Sequence, residues 1–240
     1  MFSIFTDPVK MAQQMEIILD TYGLAIWETL YSLVLEVIFA YMIGLPLGVL
    51  LVTGEKDGIR PVNSFLMKSL NVIINLLRSV PFLIMMIIAL PLSKLIVGTK
   101  VGTAATIPPM VIAAFPLVAR MVESSLRELN HGVIEAAQSM GASTWQIITK
   151  VLLPEAKPSL ISGGTITVGT ILSYGAMAGV LGGGGLGMLA TTYGYYNTKY
   201  LVMWAAVVGL VILVYGFFAG GTADVLTKAV NICTECVGLG

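Results

Sequence analysis

The sequence predicts an all-α, polytopic integral membrane protein, and its composition and charge lead to that prediction. Hydrophobic residues make up 57% of the 240 residues and charged residues only 11%, with a mean hydropathy of +0.91. A soluble globular protein has about 25% charged residues, so a soluble enzyme, a disordered tail and a disulfide-stapled secreted domain are all excluded. The formal net charge is zero, which argues against a nucleic-acid partner.

Five apolar segments are long enough to span a bilayer, because a span needs about 20 mainly apolar residues. The first is interrupted only by Glu36 and ends at a charged turn, and the second contains Arg78. Helical spacing in the first third of the second segment indicates a helix lying in the membrane interface before the chain enters the bilayer. Residues 1–23 have no signal-peptide pattern and are expected to form an outer segment. The predicted spans are residues 29–52, 69–97, 101–118, 159–181 and 200–221.

The distribution of lysine and arginine predicts an outer N-terminus and an inner C-terminus, following the excess of basic residues on the cytoplasmic side. In that orientation nine basic residues are inside and four are outside. The inner residues are Lys56, Arg60, Lys68, Arg78, Arg120, Arg127, Lys150, Lys157 and Lys228, and the outer ones are Lys10, Lys94, Lys100 and Lys199.

One long polar stretch, residues 120–157, separates the third and fourth spans. Apolar and small residues recur every three or four positions within it, which predicts one apolar face of a short helix. From the residues alone, this helix either docks on a cytoplasmic partner or lies on the lipid headgroups. Pro154 and Pro158 limit how the chain re-enters the membrane. The face comprises Ala137, Met140, Gly141, Thr144, Ile148 and Val151.

The same stretch carries a seven-position motif spread over twenty residues. It comprises Glu135, Ala136, Ala137, Gly141, Val151, Leu153 and Pro154. This pattern resembles the EAA motif of ABC-importer permeases, with valine in place of isoleucine at position 151 as the single departure. The resemblance implies that segment 130–157 is a coupling helix seated in a cleft of an ATP-hydrolysing subunit. By position, Glu135 makes the ionic contact, while Ala136, Ala137 and Gly141 allow close approach.

Further motifs are similar to those of methionine-importer permeases, and the likeness covers residues 27–228. They are residues 78–82 (RSVPF), 96–99 (IVGT), 116–123 (PLVARMVE), 174–179 (YGAMAG), 182–187 (GGGGLG) and 193–195 (YGY). The resemblance implies one transmembrane domain over residues 1–240 of a multi-pass protein in the bacterial inner membrane. It also implies a homodimer with the translocation path at its two-fold interface.

The partners implied by this resemblance are two cytoplasmic ABC ATPase subunits and a periplasmic or lipid-anchored methionine-binding protein. The chain itself is expected to be a transport subunit rather than an enzyme, with no cofactor or metal, surrounded by membrane lipid. The cargo is expected to be methionine, in the L- and possibly the D-form, with another amino acid or small polar solute as the alternative. An ion-coupled secondary transporter is the more remote alternative, because it needs intramembrane ionisable relays and Glu36 alone is thin support.

Four residues are candidates for the translocation path: Glu36, Arg78, Tyr174 and Met177. A carboxylate near mid-membrane is costly, so Glu36 is expected to face a cavity or to be protonated or hydrogen-bonded in a helix–helix seam. Arg78 falls within the family-like RSVP sequence, although the favoured interpretation for it is a headgroup-facing position at the cytoplasmic end.

Other chemical signatures are weak. Gly182, Gly184 and Gly187 satisfy G-x-G-x-x-G, but a dinucleotide site needs a strand before it, so an outer loop or gate is expected. Cys233 and Cys236 lack the further ligands of a zinc site and are expected to be free thiols. His131 is expected to have a surface role rather than a catalytic one.

Overall fold

The computed structural model describes residues 8–56 and 58–216, and every regular element in them is helical. The all-α prediction is therefore confirmed for these residues. The long helices are α1 (Pro8–Thr53), α2 (Ser64–Ser79), α3 (Phe82–Val97), α4 (Thr103–Arg127) and α8 (Lys157–Ala178). The shorter ones are α5 (His131–Ser139), α6 (Thr144–Ile147), α7 (Leu153–Glu155), α9 (Gly185–Met188) and α10 (Tyr200–Gly216).

Helix α1 is one uninterrupted helix of 46 residues. At 1.5 Å per residue it is about 69 Å long, more than twice the thickness of the hydrocarbon core. The prediction placed the first span at residues 29–52, with residues 1–23 as an outer segment leading into it. The structure instead continues the helix back to Pro8, since the polar residues in this part do not interrupt the helical backbone.

The second predicted span, residues 69–97, is divided into α2 and α3. The chain leaves helical geometry at Val80, where φ is −77° and ψ is 128°. Pro81 follows, and a residue before proline is forced out of the helical region by steric clash. By length and composition, α1, α4 and residues 157–181 are candidate spans within the described residues, and α2 plus α3 form a fourth if counted together. Helix α10 is a shorter apolar helix up to Gly216.

The described chain separates into two compact units, each assembled from several stretches of sequence. The first unit contains residues 8–38, 81–113 and 169–216, and the second contains residues 39–80 and 114–168. Helices α1, α4 and α8 each contribute one part to each unit.

In the second unit, α1 packs closely against α4, because valine side chains of α4 lie directly against two glycines of α1. A Cβ atom at Gly44 would lie 2.6 Å from Val118 Cβ, and one at Gly48 would lie 2.6 Å from Val122 Cβ. Small residues four apart on one helix face allow this close approach in membrane proteins. A buried cluster extends the packing to α2 and consists of Leu51, Met67, Ile74 and Ala119.

In the first unit, α1 is joined to the C-terminal helices by polar side chains. The Tyr22 hydroxyl donates to the Ala205 carbonyl at 3.0 Å. The buried Gln14 accepts a bond from the Leu201 N–H at 3.1 Å through its Oε1. An apolar cluster fills the remaining space, and its members are Ala25, Leu186, Leu189, Val202 and Ala206.

Candidate functional site

The motif-bearing segment 130–157 leaves and rejoins the long helices at one point. Ser159, in the first turn of α8, donates to Glu128 Oε2 at 2.8 Å. Its hydroxyl also lies 3.1 Å from the Ser125 hydroxyl of α4. Glu128 precedes the segment and Ser159 follows it, so these bonds hold the two ends of segment 130–157 next to each other.

Helix α5 begins and ends with specific caps. The Asn130 side chain accepts the N–H of Gly132 at 2.9 Å, which satisfies a donor in the first turn. At the other end Gly141 has φ of +76°, and its N–H donates to the Gln138 carbonyl. The next N–H, from Ala142, donates to the Ala137 carbonyl, so the helix ends in a Schellman motif. Gly141 therefore ends α5, because its left-handed conformation allows the Schellman hydrogen bonds to form.

The prediction of one continuous apolar face is wrong, because the reversal at Gly141 divides the segment into two helices. A capping box between Ser143 and Gln146 begins the second helix. The hydrogen bonding of this helix then changes from the α to the π pattern over Ile148–Leu152. Pro154 follows shortly after and has no N–H to donate to an α-helical bond. The buried residues of the two helices are Ala137, Ile147 and Leu152, whereas Met140 is 81% exposed.

The seven motif residues divide by exposure. Glu135 and Ala136 are exposed on α5, while Ala137 is buried beneath them. A Cβ atom at Gly141 would meet nothing within 4 Å, so the space around it is open in this chain. The remaining three are half-buried or exposed, and they are Val151, Leu153 and Pro154.

Charged and amide side chains connect the end of α4 to its neighbours in the second unit. Arg120 donates to Glu123 at 2.5 Å and to Asn71 and Asn75 of α2 at 2.7 and 3.0 Å. These bonds allow an arginine and a glutamate to lie in the polar end of an otherwise apolar helix, since ionic groups are stable there only when paired.

The glycine-rich run of the first unit is a tightly packed turn. Oε2 of Glu28 accepts the Gly185 N–H at 2.7 Å, and Oγ1 of Thr29 accepts the Leu186 N–H at 3.0 Å. Gly182, Gly184 and Gly185 have φ of +81°, +73° and +66°. Helix α8 precedes this run, and the described residues contain no strand that a dinucleotide-binding turn would require.

Glu36 is 2% exposed and lines a small cavity in the first unit. The free volume is about 20 Å³, which is enough for one water molecule. Its polar lining comes from Glu28, Thr29, Ser32, Glu36, Thr103 and Thr106.

The other candidate path residues do not share that cavity. Tyr174 stacks on Phe82 with ring centroids 4.3 Å apart and an interplanar angle of 7°. Met177, on the same helix, is about half exposed. Arg78 is exposed in the last turn of α2. Of the three candidates in the first unit, only Glu36 therefore lines the cavity.

No metal site is found in the part of the chain that the structure describes, where no group of three histidine, cysteine or acidic side chains comes together. Cys233 and Cys236 lie outside the described residues. His131 is the exposed first residue of α5.

Two features of the site were missed from the sequence. Gly44 and Gly48 form a small-x-x-x-small pair that was visible in the sequence and marks close helix packing. Asn71 and Asn75, the partners of Arg120, gave a weaker signal, namely two amides at i and i+4 on an apolar helix.

Comparison with known proteins gives consistent matches. The family described as binding-protein-dependent transport system inner membrane component matches residues 44–232. A probable D-methionine transport system permease protein MetI from Vibrio cholerae serotype O1 is 48% identical over 190 residues, or 79% of this chain and 84% of that protein. The protein of the same description from Haemophilus influenzae is 41% identical over 208 residues, or 86% and 96%.

Solved structures of ABC transporters also match this chain. A chain of the MetNI methionine ABC transporter, in an inward-facing conformation, is 41% identical and has a TM-score of 0.84. The match covers 88% of this chain and 98% of that one. A chain of an amino acid ABC transporter with histidines shares the fold, with a TM-score of 0.60 at 18% identity.

Proposed function

The chain belongs to the family of binding-protein-dependent transport system inner membrane components, and we propose that it is the permease subunit of an ABC importer that takes up methionine. The observation that carries the proposal is the exposed Glu135–Ala136 surface on α5, a helix capped at both ends outside the apolar helices. Relatives at 48% and 41% identity are described as D-methionine permeases, which supports methionine as the cargo.

In this proposal ATP is hydrolysed by a partner, and segment 130–157 couples that hydrolysis to the permease. Glu135 makes the ionic contact with the ATPase, and Ala136 allows its surface to approach the α5 backbone. Gly141 has a second task, because the Schellman motif that it completes fixes where α5 ends. Val151, Leu153 and Pro154 set the return of the chain toward α8.

The remaining parts of the assembly are proposed with it. Five spans with an outer N-terminus and an inner C-terminus make one transmembrane domain, counting α2 with α3 as one span and α10 as the last. A second copy encloses the path, two ATPase subunits dock on the two segments, and a binding protein delivers the amino acid. Inward movement follows when the two states make different contacts with the ATPase.

Glu36, Arg78, Tyr174 and Met177 remain the proposed contacts along the path. The cavity beside Glu36 supports its part, since an acidic group in a span is otherwise expensive. The stacked Phe82–Tyr174 pair gives a flat aromatic surface on the first unit. The alternative cargo is another amino acid or a small polar solute.

The test is co-purification of the permease with its ATPase from membranes. We expect Glu135→Arg to lose most of the bound ATPase, because it reverses the charge of an exposed contact residue. The matched control is Glu16→Arg, which makes the same charge change at an exposed site on α1. Undiminished binding by Glu135→Arg, with both variants inserted, would refute the coupling assignment.

A further inference from the structure

An ion pair between Arg127 and Glu55 lies just before the start of segment 130–157, called the coupling segment below. Arg127, the last residue of α4, donates to both carboxylate oxygens of Glu55. The distances are 3.1 Å from Nη1 to Oε2 and 2.5 Å from Nη2 to Oε1. Two parallel bonds of this kind fix the relative orientation of the partners as well as their separation. Arg127 also donates to Glu123 from Nε at 3.1 Å and from Nη2 at 2.9 Å, so its own helix holds the guanidinium in place.

The position of this pair links two elements that are far apart in sequence. Glu55 lies two residues beyond the end of α1 at Thr53, and Arg127 lies four residues before the start of α5 at His131. The pair therefore joins the turn after α1 to the end of α4, just before the coupling segment begins.

The space beside the pair is not filled by side chains. A groove of about 370 Å³ separates the turn after α1 from α5, and Ile59, Leu126, Ile134 and Glu135 are among the residues that line it. Because α5 does not pack closely against the turn across this groove, a movement of α5 reaches the turn through the bonded pair more directly than through side-chain packing.

The side chains of the pair are 45% and 44% exposed, so water screens part of their attraction, whereas the bidentate geometry and the further bond to Glu123 strengthen it. A bidentate geometry fixes the orientation of Glu55 relative to Arg127, which is what a positioning role requires. We infer that Arg127 and Glu55 are positioning residues that pass movement of the coupling segment to α1. This inference rests on the proposed function, since docking of the ATPase supplies the movement.

The test measures ATP hydrolysed per methionine transported by the complete transporter in liposomes. The variants are Glu55→Gln, Arg127→Gln and the double variant, with Lys56→Gln as the control. Lys56 is exposed in the same turn, and no side-chain bond to it is found among the described residues. Hydrolysis that is no longer coupled consumes ATP without transport, so we expect each single variant to raise the ratio of ATP hydrolysed to methionine transported, by about fivefold for a loss the size of a weak allosteric coupling. The double variant should be no worse than Arg127→Gln alone, because that substitution already removes the bonds to Glu55 and to Glu123.

Each outcome bears on the inference. An unchanged ratio in the single variants, or defects that add in the double variant, would overturn it. A Glu55→Gln permease that fails to insert or to bind the ATPase would show a structural role and would also overturn it. If the unmodified transporter hydrolyses ATP but carries no methionine, the proposed cargo fails. If it carries methionine and the variants behave like Lys56→Gln, only the inference fails.

Discussion

The Glu28 carboxylate accepts a hydrogen bond from the backbone N–H of Gly185, with 2.7 Å between Oε2 and the nitrogen. Together with the bond from Leu186 N–H to Thr29, it holds the glycine-rich run against α1. Two adjacent side chains of one helix thus satisfy two adjacent backbone donors that begin another. The first unit depends on this contact to position α9.

Loss of the Glu28 carboxylate should loosen the glycine-rich run. Hydrogen bonds to charged groups are worth about 1.5–3 kcal/mol, so we expect Glu28→Ala to lower the free energy of unfolding by about that amount. Glu28→Gln keeps an acceptor oxygen and should lose less. Thermal unfolding in detergent measures the stability, and hydrogen exchange at residues 182–187 localises the change. Equal stability of Glu28→Ala and the unmodified protein would contradict the role given to this bond.

Alanine at Gly185 should be more harmful than alanine at another glycine of similar conformation. Both Gly98 and Gly185 have positive φ, of +83° and +66°, and a left-handed residue other than glycine costs about 1–2 kcal/mol. A Cβ atom at Gly98 meets nothing within 4 Å, whereas one at Gly185 would lie 2.6 Å from Thr29 Oγ1.

We therefore expect Gly185→Ala to cost about 1–3 kcal/mol more than Gly98→Ala, because overpacking adds to the backbone strain. Chemical or thermal unfolding of the two variants under one set of conditions makes the comparison. A similar loss in both would mean that the run tolerates added volume.

The contact between α1 and α4 can be tested by a pair of substitutions within one helix. A Cβ atom at Gly48 would lie 2.6 Å from Val122 Cβ and 2.7 Å from the Ala119 carbonyl oxygen. Gly48→Ala should therefore destabilise the second unit by about 1–3 kcal/mol. Gly23, also in α1, has nothing within 4 Å, so Gly23→Ala should cause no loss. Unfolding midpoints decide between them, and a neutral Gly48→Ala would disprove the close packing.

Gly141 should matter to the coupling segment through its backbone conformation. Alanine there has to adopt φ near +76°, at a cost of about 1–2 kcal/mol, and we expect α5 to fray at its C-terminal end. Binding to the ATPase should weaken by up to about thirtyfold, since 1.4 kcal/mol corresponds to a factor of ten and the cost reaches about 2 kcal/mol. Asparagine adopts this conformation more readily than alanine, so Gly141→Asn should bind better than Gly141→Ala. If Gly141→Ala binds as tightly as the unmodified permease, the conformational role is refuted.

Long apolar stretches were predicted well because their composition is visible locally. Of the predicted span 101–118, residues 103–118 lie within α4, and residues 159–181 coincide closely with α8 and the turn that follows it. The helix ends were missed for a different reason. Helix α4 continues through Arg120 and Glu123, where Asn71 and Asn75 accept hydrogen bonds from the arginine. A hydropathy pattern contains no information about partners 45 or more residues away.

The motif in segment 130–157 was found from its spacing, but the local role of Gly141 was not. Spacing suggested small residues on one helix face, whereas Gly141 ends that helix in a left-handed conformation. A periodic pattern does not show where a helix is interrupted when the residues on both sides continue the period. Asn130 and Ser143 are N-cap residues that were visible in the sequence, and they would have indicated where α5 and α6 begin.

The most direct test of the central claim is uptake of labelled methionine by liposomes that contain the permease, its ATPase and its binding protein. We predict uptake that requires ATP inside the liposomes and that unlabelled methionine suppresses, while unrelated amino acids do not. Uptake that persists without ATP but stops without an ion gradient would contradict the account.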